Sequence, residues 1–193
     1  MEWQAYSLAG GWGLLLDIEG RDHYESANFS QGQGYFFGVG IKLDLDGDDE
    51  HQAARYGHGA SAHFGVGLFI DHHGDDRYGS SGPFYNGGVA WDSSVSLMID
   101  ADKGRDTYTF NRSTGLGRAD YAGWGLFIDE GGADQYHAKS GFGDSSEKSV
   151  AGFFDLEGKD TYTLPPDSPM PTDSRPSDGR LFFYPQGGVF VDR

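Results

Sequence analysis

The stretch Asp71–Tyr78 reads "DHHGDDRY" and places two histidines, three aspartates and one tyrosine around a single glycine. Imidazole and carboxylate groups bind metal ions, and they also serve as general acids and bases. Taken alone, the stretch predicts a metal site or an acid–base cluster. That prediction depends on whether the spacing is unique in the chain.

The spacing is not unique, because the pattern D-x-x-G-x-D-x-Y recurs roughly every 27 residues. A period of this length is typical of solenoid proteins, in which each repeat forms one coil. The histidine pair occurs in one copy only, and adjacent strand residues point to opposite faces, which argues against a transition-metal site at His72 and His73. Copies begin at Asp17, Asp44, Asp71, Asp100, Asp129 and Asp155, and a seventh begins at Asp192.

Each copy follows a short apolar run, such as "GVGLFID" ending at Asp71. These runs are too short for helices, are rich in β-branched and aromatic residues and end at turn signals, so they predict strands. A second strand carries the tyrosine, and polar glycine-containing stretches form a third side. We therefore predict an all-β fold, a single-domain parallel β-solenoid over residues 1–193 with about six coils and a period near 27 residues. The proline-rich segment 164–180 is predicted to be a loop inserted between the last two coils.

Lys42 suggests which face of the first strand is outside. Because a lysine is rarely buried without a partner, the column that contains Lys42 is predicted to face solvent. The alternate columns, which contain Trp12 and Leu16, are then predicted to form the core. The outer face would combine flat glycine and serine columns with an apolar ridge, which is typical of an interface. The ridge consists of Leu15, Phe69, Met98, Phe127 and Phe153.

Stacked coils would align the aspartates of the repeat in two files. Carboxylates about 4.8 Å apart repel each other by roughly 3–4 kcal/mol at an effective dielectric constant of about 20. Cations between coils, hydrogen bonds from the N–H groups of the same turn, or exposure to solvent would each relieve this repulsion. The first file is Asp17, Asp44, Asp71, Asp100, Asp129 and Asp155, and the second is Asp22, Asp49, Asp76, Asp106, Asp134 and Asp160.

The Gly-x-Asp-x-aromatic cores of the turns, such as Gly74/Asp76/Tyr78 and Gly158/Asp160/Tyr162, resemble the repeats of the RTX family. The resemblance implies a parallel β-roll whose turns bind calcium through carboxylate and carbonyl oxygens. It covers the turns alone, because RTX repeats are about nine residues long, whereas this chain has one motif per coil. On this basis all the aspartates of both files are candidate calcium ligands. Capping of the turns by the same carboxylates without metal is the alternative.

The composition excludes several partners. With 193 residues and a net charge of -16, the chain lacks the lysine and arginine excess that nucleic acids and anionic membranes require. No run of 18 apolar residues predicts a membrane span, and the absence of cysteine excludes disulfides and thiolate metal sites. Acidity of this degree favours a cation-binding or extracellular protein.

These observations predict a non-enzymatic extracellular or cell-surface scaffold, such as an adhesin stalk, a filament or a surface-layer segment. The alternative is a carbohydrate-binding or carbohydrate-active β-helix of the polysaccharide lyase or hydrolase type. The repeat pattern starts inside a coil and stops where a turn begins, so both ends are predicted to be uncapped. Association with another copy or another protein is expected through the Gly/Ser face or through these ends.

Overall fold

In the computed structural model, which describes residues 6–146 and 148–193, the chain winds into coils of three strands. Equivalent strands of successive coils lie side by side in three sheets. Sheet 1 contains β2 (Trp12–Leu16), β5 (Val39–Asp44), β8 (Val66–Asp71), β11 (Val95–Asp100), β14 (Trp124–Asp129), β16 (Val150–Asp155), β18 (Leu181–Phe183) and β19 (Val189–Asp192). Sheet 2 contains β3 (His23–Asn28), β6 (Glu50–Arg55), β9 (Arg77–Gly79), β12 (Thr107–Gly115), β15 (Gln135–Gly141) and β17 (Thr161–Thr163). Sheet 3 contains β1 (Tyr6–Leu8), β4 (Gln33–Tyr35), β7 (Ser61–Ala62), β10 (Ala90–Trp91) and β13 (Ala119–Asp120), and a short 3₁₀ helix spans Thr172–Ser174.

Successive coils pair in parallel and in register with the repeat. In sheet 1, Asp100 of β11 lies opposite Asp71 of β8 on one side and Asp129 of β14 on the other. In sheet 2, Tyr108 lies between Tyr78 and Tyr136. The predicted parallel β-solenoid of about six coils is therefore confirmed, with sheet 1 strands that end at the aspartates of the repeat.

The two faces of sheet 1 are the reverse of the prediction. Phe69, Met98, Phe127 and Phe153 are completely buried, and Leu15 in the first coil is half-buried, so the predicted outer ridge is in fact the core. The prediction that the column of Lys42 faces solvent is wrong, because its ammonium group is buried among partners contributed by neighbouring positions of the repeat. The columns predicted to be inside face outward.

The glycine column of sheet 1 also faces inward, which corrects its prediction as an interface. A Cβ atom at Gly40 would lie 2.1 Å from the carbonyl oxygen of Gln33, and one at Gly125 would lie 2.2 Å from that of Arg118. Sheets 1 and 3 therefore meet backbone against backbone on this side. Only glycine or another small residue fits there, as expected where two main chains approach closely.

Towards the C-terminal ends of its strands, the inward face of sheet 1 is separated from sheet 2 by large side chains. The rings of Phe127, Phe153 and Phe190 stack at centroid distances of 5.0 Å. The tyrosines of sheet 2 form a second stack, with 4.9 Å between the rings of Tyr108 and Tyr136. These two stacks form the main hydrophobic core, and the aspartate files lie at its edge, where sheet 1 turns into sheet 2.

The corner before each sheet 1 strand uses left-handed backbone in residues other than glycine. Phe36 and Phe37 have φ values of 46° and 62°, and the next coil repeats this geometry at His63 and Phe64, with 54° and 62°. Left-handed conformations are uncommon in such residues. Stacking between coils accompanies them, with 5.0 Å between the rings of Phe37 and Phe64.

The C-terminal end of the stack is covered by the chain itself, so the prediction that this end is uncapped is wrong. Strand β18 pairs antiparallel with β19 at the edge of sheet 1. It therefore occupies the edge to which the strand of a further parallel coil would bind. The proline-rich segment lies between β17 and β18, as predicted, and buries Met170 against the core. Ser168 fixes the segment by donating a hydrogen bond of 2.7 Å to the carbonyl oxygen of Lys139.

Candidate functional site

The first aspartate file points inward from the ends of the sheet 1 strands and is bridged by the buried tyrosines of sheet 2. The hydroxyl of Tyr108 lies 2.6 Å from Asp100 Oδ2 and 2.8 Å from Asp129 Oδ2. The hydroxyl of Tyr136 lies 2.7 Å from Asp129 Oδ2 and 2.9 Å from Asp155 Oδ2. Carboxylates and hydroxyls thus alternate from coil to coil in one buried chain of contacts.

This chain requires protons on some carboxyl groups. Seven hydroxyl–carboxyl contacts join Tyr78, Tyr108, Tyr136 and Tyr162 to the first file and to Asp192, which lies next to Asp155 in the last strand of sheet 1. Each hydroxyl donates one proton, and an ionised carboxylate only accepts. Four donors fill four of the seven contacts, so the remaining three form hydrogen bonds only if an aspartic acid donates to a tyrosine oxygen.

The second file is held by backbone amides of the neighbouring coil. Asp106 Oδ1 accepts a hydrogen bond of 2.7 Å from the N–H of Asp76, and Asp134 Oδ1 accepts one of 2.7 Å from the N–H of Asp106. The sequence predicted capping within the same turn, and Asp17, Asp71 and Asp129 of the first file do accept a hydrogen bond from an N–H group of their own turn. The carboxylates of the second file instead cap the preceding coil. The opposite oxygen has no hydrogen-bond partner in Asp76, Asp106, Asp134 and Asp160, all of which are buried.

Burial raises the pKa of the carboxyl groups of both files in the coils after the first, because a charged carboxylate loses its hydration there. The pKa of Asp106 is raised to about 9, mainly by desolvation, with repulsion from Asp129 adding to it. Desolvation and the charge of Asp129 also raise the pKa of Asp155 to about 9. For Asp76 and Asp134 desolvation raises the pKa to about 8. The interior of the solenoid therefore holds protons that free aspartic acid loses near pH 4.

One coil replaces this arrangement with an internal cation. Lys42 takes the place of a core apolar residue, and His51 takes the place of the tyrosine. The Nζ atom of Lys42 lies 3.2 Å from Asp44 Oδ2 and 2.8 Å from His51 Nδ1. An ammonium group only donates, so Nδ1 accepts and the other nitrogen, Nε2, carries the proton and lies 3.2 Å from Asp71 Oδ2.

The Lys42 ammonium group also contacts an aromatic ring, with 3.1 Å between Nζ and the ring centroid of Tyr24. Desolvation lowers the pKa of Lys42 to about 8, against the opposing effect of Asp44 and Asp71. Sequence reasoning missed this cluster. The available signal was that two departures from the repeat, at Lys42 and His51, occur in the same coil.

The interior carboxylates form clusters that approach the geometry of a cation site. Atoms of Asp76, Asp100 and Asp106 lie within 4.8 Å of one another, and so do those of Asp134, Asp155 and Asp160. Three carboxylates reach the six to eight oxygens of calcium only if each binds through both oxygens or if further ligands join. Existing hydrogen bonds already use Oδ1 of Asp106 and Oδ2 of Asp100. Calcium binding stays a prediction, and its ligands would lie inside the solenoid.

The turn carbonyls that the RTX resemblance assigned to calcium have other partners. Gly47 donates its N–H to the carbonyl oxygen of His73 at 2.9 Å, and Gly132 donates to that of Glu157 at 2.9 Å. These hydrogen bonds join the turns of successive coils. Asp17 and Asp22, in the first coil, are half-buried and exposed respectively, unlike the sealed carboxylates of the later coils.

The histidines of the opening motif lie outside this interior array. His72 and His73 are exposed in the turn after β8, with 3.0 Å between Nδ1 of the first and Nε2 of the second. The expectation that they point to opposite faces does not hold, because the strand ends at Asp71. Asp102 contributes a third group, 3.8 Å from His73 Nδ1.

A second functional feature is the outer face of sheet 1, here called the apolar face. Its three columns contain only apolar residues although the whole chain carries a net charge of -16. Trp12 is 78% exposed, Val95 45% and Trp124 58%. The columns are Trp12, Val39, Val66, Val95, Trp124 and Val150; Leu14, Ile41, Leu68, Leu97, Leu126, Gly152 and Val189; and Leu16, Leu43, Ile70, Ile99, Ile128, Phe154 and Val191.

The chain matches no protein-family model, no curated protein and no solved structure. Within residues 6–146 and 148–193, no helix has the length and apolar character needed to cross a membrane. The interior carboxyl array and the apolar face are the two candidate functional features of the chain.

Proposed function

We propose that this protein is a non-enzymatic scaffold that acts outside the cell or at its surface and associates through the apolar face of sheet 1. The observation that carries the proposal is the size and uniformity of this face. Single exposed apolar residues are normal, whereas contiguous apolar patches of several hundred Å² mark interaction sites. Two of the three columns extend over seven strands and the third over six, without one charged side chain.

The dimensions of the face fit a second copy of this chain. Seven strands about 4.8 Å apart span about 29 Å, and three alternate positions with their side chains span about 20 Å, which gives roughly 600 Å². Two such faces would bury about 1,200 Å² in total, above the approximately 1,000 Å² expected of a specific interface. A flat apolar sheet is self-complementary in chemistry, and two sheets packed face to face form the core of a β-sandwich.

The non-enzymatic part of the proposal is supported by the placement of the titratable groups. The carboxyl groups of the two aspartate files with pKa values raised to about 8 or 9 are buried inside the solenoid. They also recur from coil to coil, as a structural device would. The acidic composition and the RTX-like turns support the extracellular assignment and calcium as a stabilising ion.

The proposal is tested by placing a charge at the centre of the apolar face. Leu97 lies in the central strand β11 between Leu68 and Leu126. We expect the wild-type chain to have the mass of two chains in light scattering at micromolar concentration, and Leu97→Asp to have the mass of one. A buried unpaired carboxylate costs several kcal/mol, which exceeds what a dimer of this area tolerates.

Thr107→Asp is the matched control, because Thr107 is also a half-buried outward strand residue of the same coil but lies in sheet 2 between Arg77 and Gln135. We expect this variant to stay dimeric, with far-UV circular dichroism confirming that both variants are folded. A wild-type chain that is monomeric at high concentration contradicts the proposal. So does a Leu97→Asp variant that keeps the mass of the wild type.

A further inference from the structure

The proline-rich segment and the last coils enclose a cleft of about 720 Å³, and none of its lining residues belongs to the apolar face. One wall is formed by the segment around Met170 and the 3₁₀ helix Thr172–Ser174, and the other by the ends of β12 and β15. The turn between β18 and β19 closes one end with Gln186. A volume of this size lies within the range of small-molecule binding sites.

Arg118, the cationic side chain of the lining, is already paired with carboxylates. Arg118 donates two hydrogen bonds of 2.8 Å to the two oxygens of Asp120 and a third to Asp144. Its guanidinium group is therefore already neutralised by two carboxylates, and Asp173 adds a further negative charge to the lining. An anionic ligand would meet no free positive charge here, so phosphate, sulfate and uronate groups are disfavoured.

The rest of the lining combines hydroxyl groups with flat apolar surfaces. Hydroxyls both donate and accept hydrogen bonds, as sugar hydroxyls do. Pro169, Met170 and Pro171 supply the apolar surface, and Tyr85 supplies an aromatic ring at the edge. The hydroxyl side chains of the lining belong to Thr114, Ser140, Ser145, Ser146, Ser174 and Tyr85, whereas the hydroxyl of the buried Tyr184 donates to the carbonyl oxygen of Phe142.

Tyr85 joins the cleft to a row of aromatic rings on the surface. Its ring lies 5.8 Å from that of Tyr56 and 5.2 Å from that of Trp91, and Trp91 lies 4.4 Å from Tyr121. These four residues are half-buried or exposed, so their rings remain accessible in part. Aromatic side chains with one apolar face and one polar tip suit a ligand that is itself amphipathic, as the two sides of a pyranose ring are.

We propose that this cleft binds a neutral oligosaccharide, with one sugar unit in the cleft and the adjoining units along the aromatic row. This binding site goes beyond the scaffold function and is independent of the apolar face. It also gives the proline-rich segment a role, because that segment supplies one wall of the site.

Isothermal titration calorimetry with cellohexaose, xylohexaose and laminarihexaose tests the proposal, with hexagalacturonate as the anionic comparison. We expect at least one neutral hexasaccharide to bind with a dissociation constant below about 1 mM. Ser140→Trp fills the cleft from one wall and Gln186→Trp fills it from one end, and each should weaken that binding at least about tenfold. Using two filling variants covers the case in which one of them fails to fold.

Thr161→Trp is the control, because Thr161 is an exposed strand position of the same sheet and is not part of the lining. It should bind as the wild type does. The proposal is overturned if no neutral hexasaccharide binds, if hexagalacturonate binds more tightly than all of them, or if folded filling variants bind as well as the wild type. Loss of dimerisation in Leu97→Asp should leave the binding unchanged, which separates this site from the apolar face.

Discussion

At the residue scale, the buried charge of Lys42 is accompanied by a second departure from the repeat, His51, which contacts it. In the other coils the equivalent positions hold a phenylalanine, methionine or leucine and a tyrosine. The ammonium group of Lys42 is sealed between Asp44, His51 and the ring of Tyr24. Removal of one partner from such a buried pair leaves the others unpaired, which typically costs about 3–5 kcal/mol.

We expect Lys42→Phe to lower the free energy of unfolding by about 3 kcal/mol or more in urea denaturation. The double variant Lys42→Phe/His51→Tyr restores the residues found in the coil of Phe69 and Tyr78, so it should recover most of that loss. The coupling energy of this cycle should reach about 1–3 kcal/mol, as found for residues in direct contact. Strictly additive effects would mean that Lys42 and His51 do not act as a unit.

At the scale of the elements, the junction of sheets 1 and 2 concentrates acid groups in a dry space. Sheet 1 contributes the first file, the turns contribute the second, and sheet 2 contributes the tyrosines. The fold depends on this junction because its hydrogen bonds cross from each coil to the next. Protonation or cation binding therefore affects every coil at once.

We expect the free energy of unfolding to fall as the pH rises from about 4 to about 9 in the absence of divalent cations. The pKa values of Asp76, Asp106, Asp134 and Asp155 are raised to about 8 or 9, whereas the unfolded chain loses these protons near pH 4. The folded chain then binds more protons within this window, so stability decreases with pH. For these four groups together, one pKa unit each corresponds to about 5 kcal/mol, or about 10–20 °C in Tm.

Thermal melts in EDTA and 0.5 M NaCl at pH 5, 7 and 9 measure this effect, because salt screens surface repulsion more than buried charge. Asp106→Asn is the informative variant, since an amide oxygen still accepts the N–H of Asp76 but carries no charge. We expect a smaller decrease in Tm with pH for this variant. A Tm that rises from pH 5 to pH 9 in the wild type would contradict the interior placement of the protons.

If the predicted calcium site exists, calcium should neutralise the interior carboxylates at high pH, where they have lost their protons. At pH 8, calcium at about 100 times its dissociation constant would stabilise the folded chain by about 2.7 kcal/mol, or roughly 5–10 °C in Tm, relative to EDTA. Magnesium should have a smaller effect, because it requires a tighter octahedral site. An identical Tm in calcium and in EDTA at pH 8 would show that only protons and Lys42 offset the repulsion among the interior carboxylates.

At the scale of the whole molecule, the apolar face of sheet 1 and the C-terminal end of the stack differ in the kind of association that they favour. The apolar face of sheet 1 favours a lateral pair, in which two copies cover each other and the assembly closes. The C-terminal end instead presents the short antiparallel strand β18, which does not continue the parallel stack. We therefore expect light scattering to show a closed dimer whose mass does not increase further with concentration, rather than the end-to-end fibre that the sequence also allowed.

The sequence by itself determined the architecture of this protein. The period of about 27 residues, the apolar runs that end at Asp71 or Asp129, and the turn glycines predict parallel strands stacked in register. These features are local and repeated, so each coil carries the same information. The alignment of the aspartates into two files follows from the same repeat, and the structure places them together.

Only the tertiary structure decided which face of sheet 1 is inside and what surrounds the aspartates. Both faces of these strands carry apolar residues, so alternation alone did not distinguish them. Lys42 gave the wrong prediction because two of its partners, His51 and Tyr24, belong to other strands. The inward face is selected by glycines such as Gly40 and Gly125, which let sheet 3 approach sheet 1. The cleft at the proline-rich segment depends likewise on contacts between residues distant in sequence, such as that of Ser168 with Lys139. Such contacts leave no periodic signal in the chain.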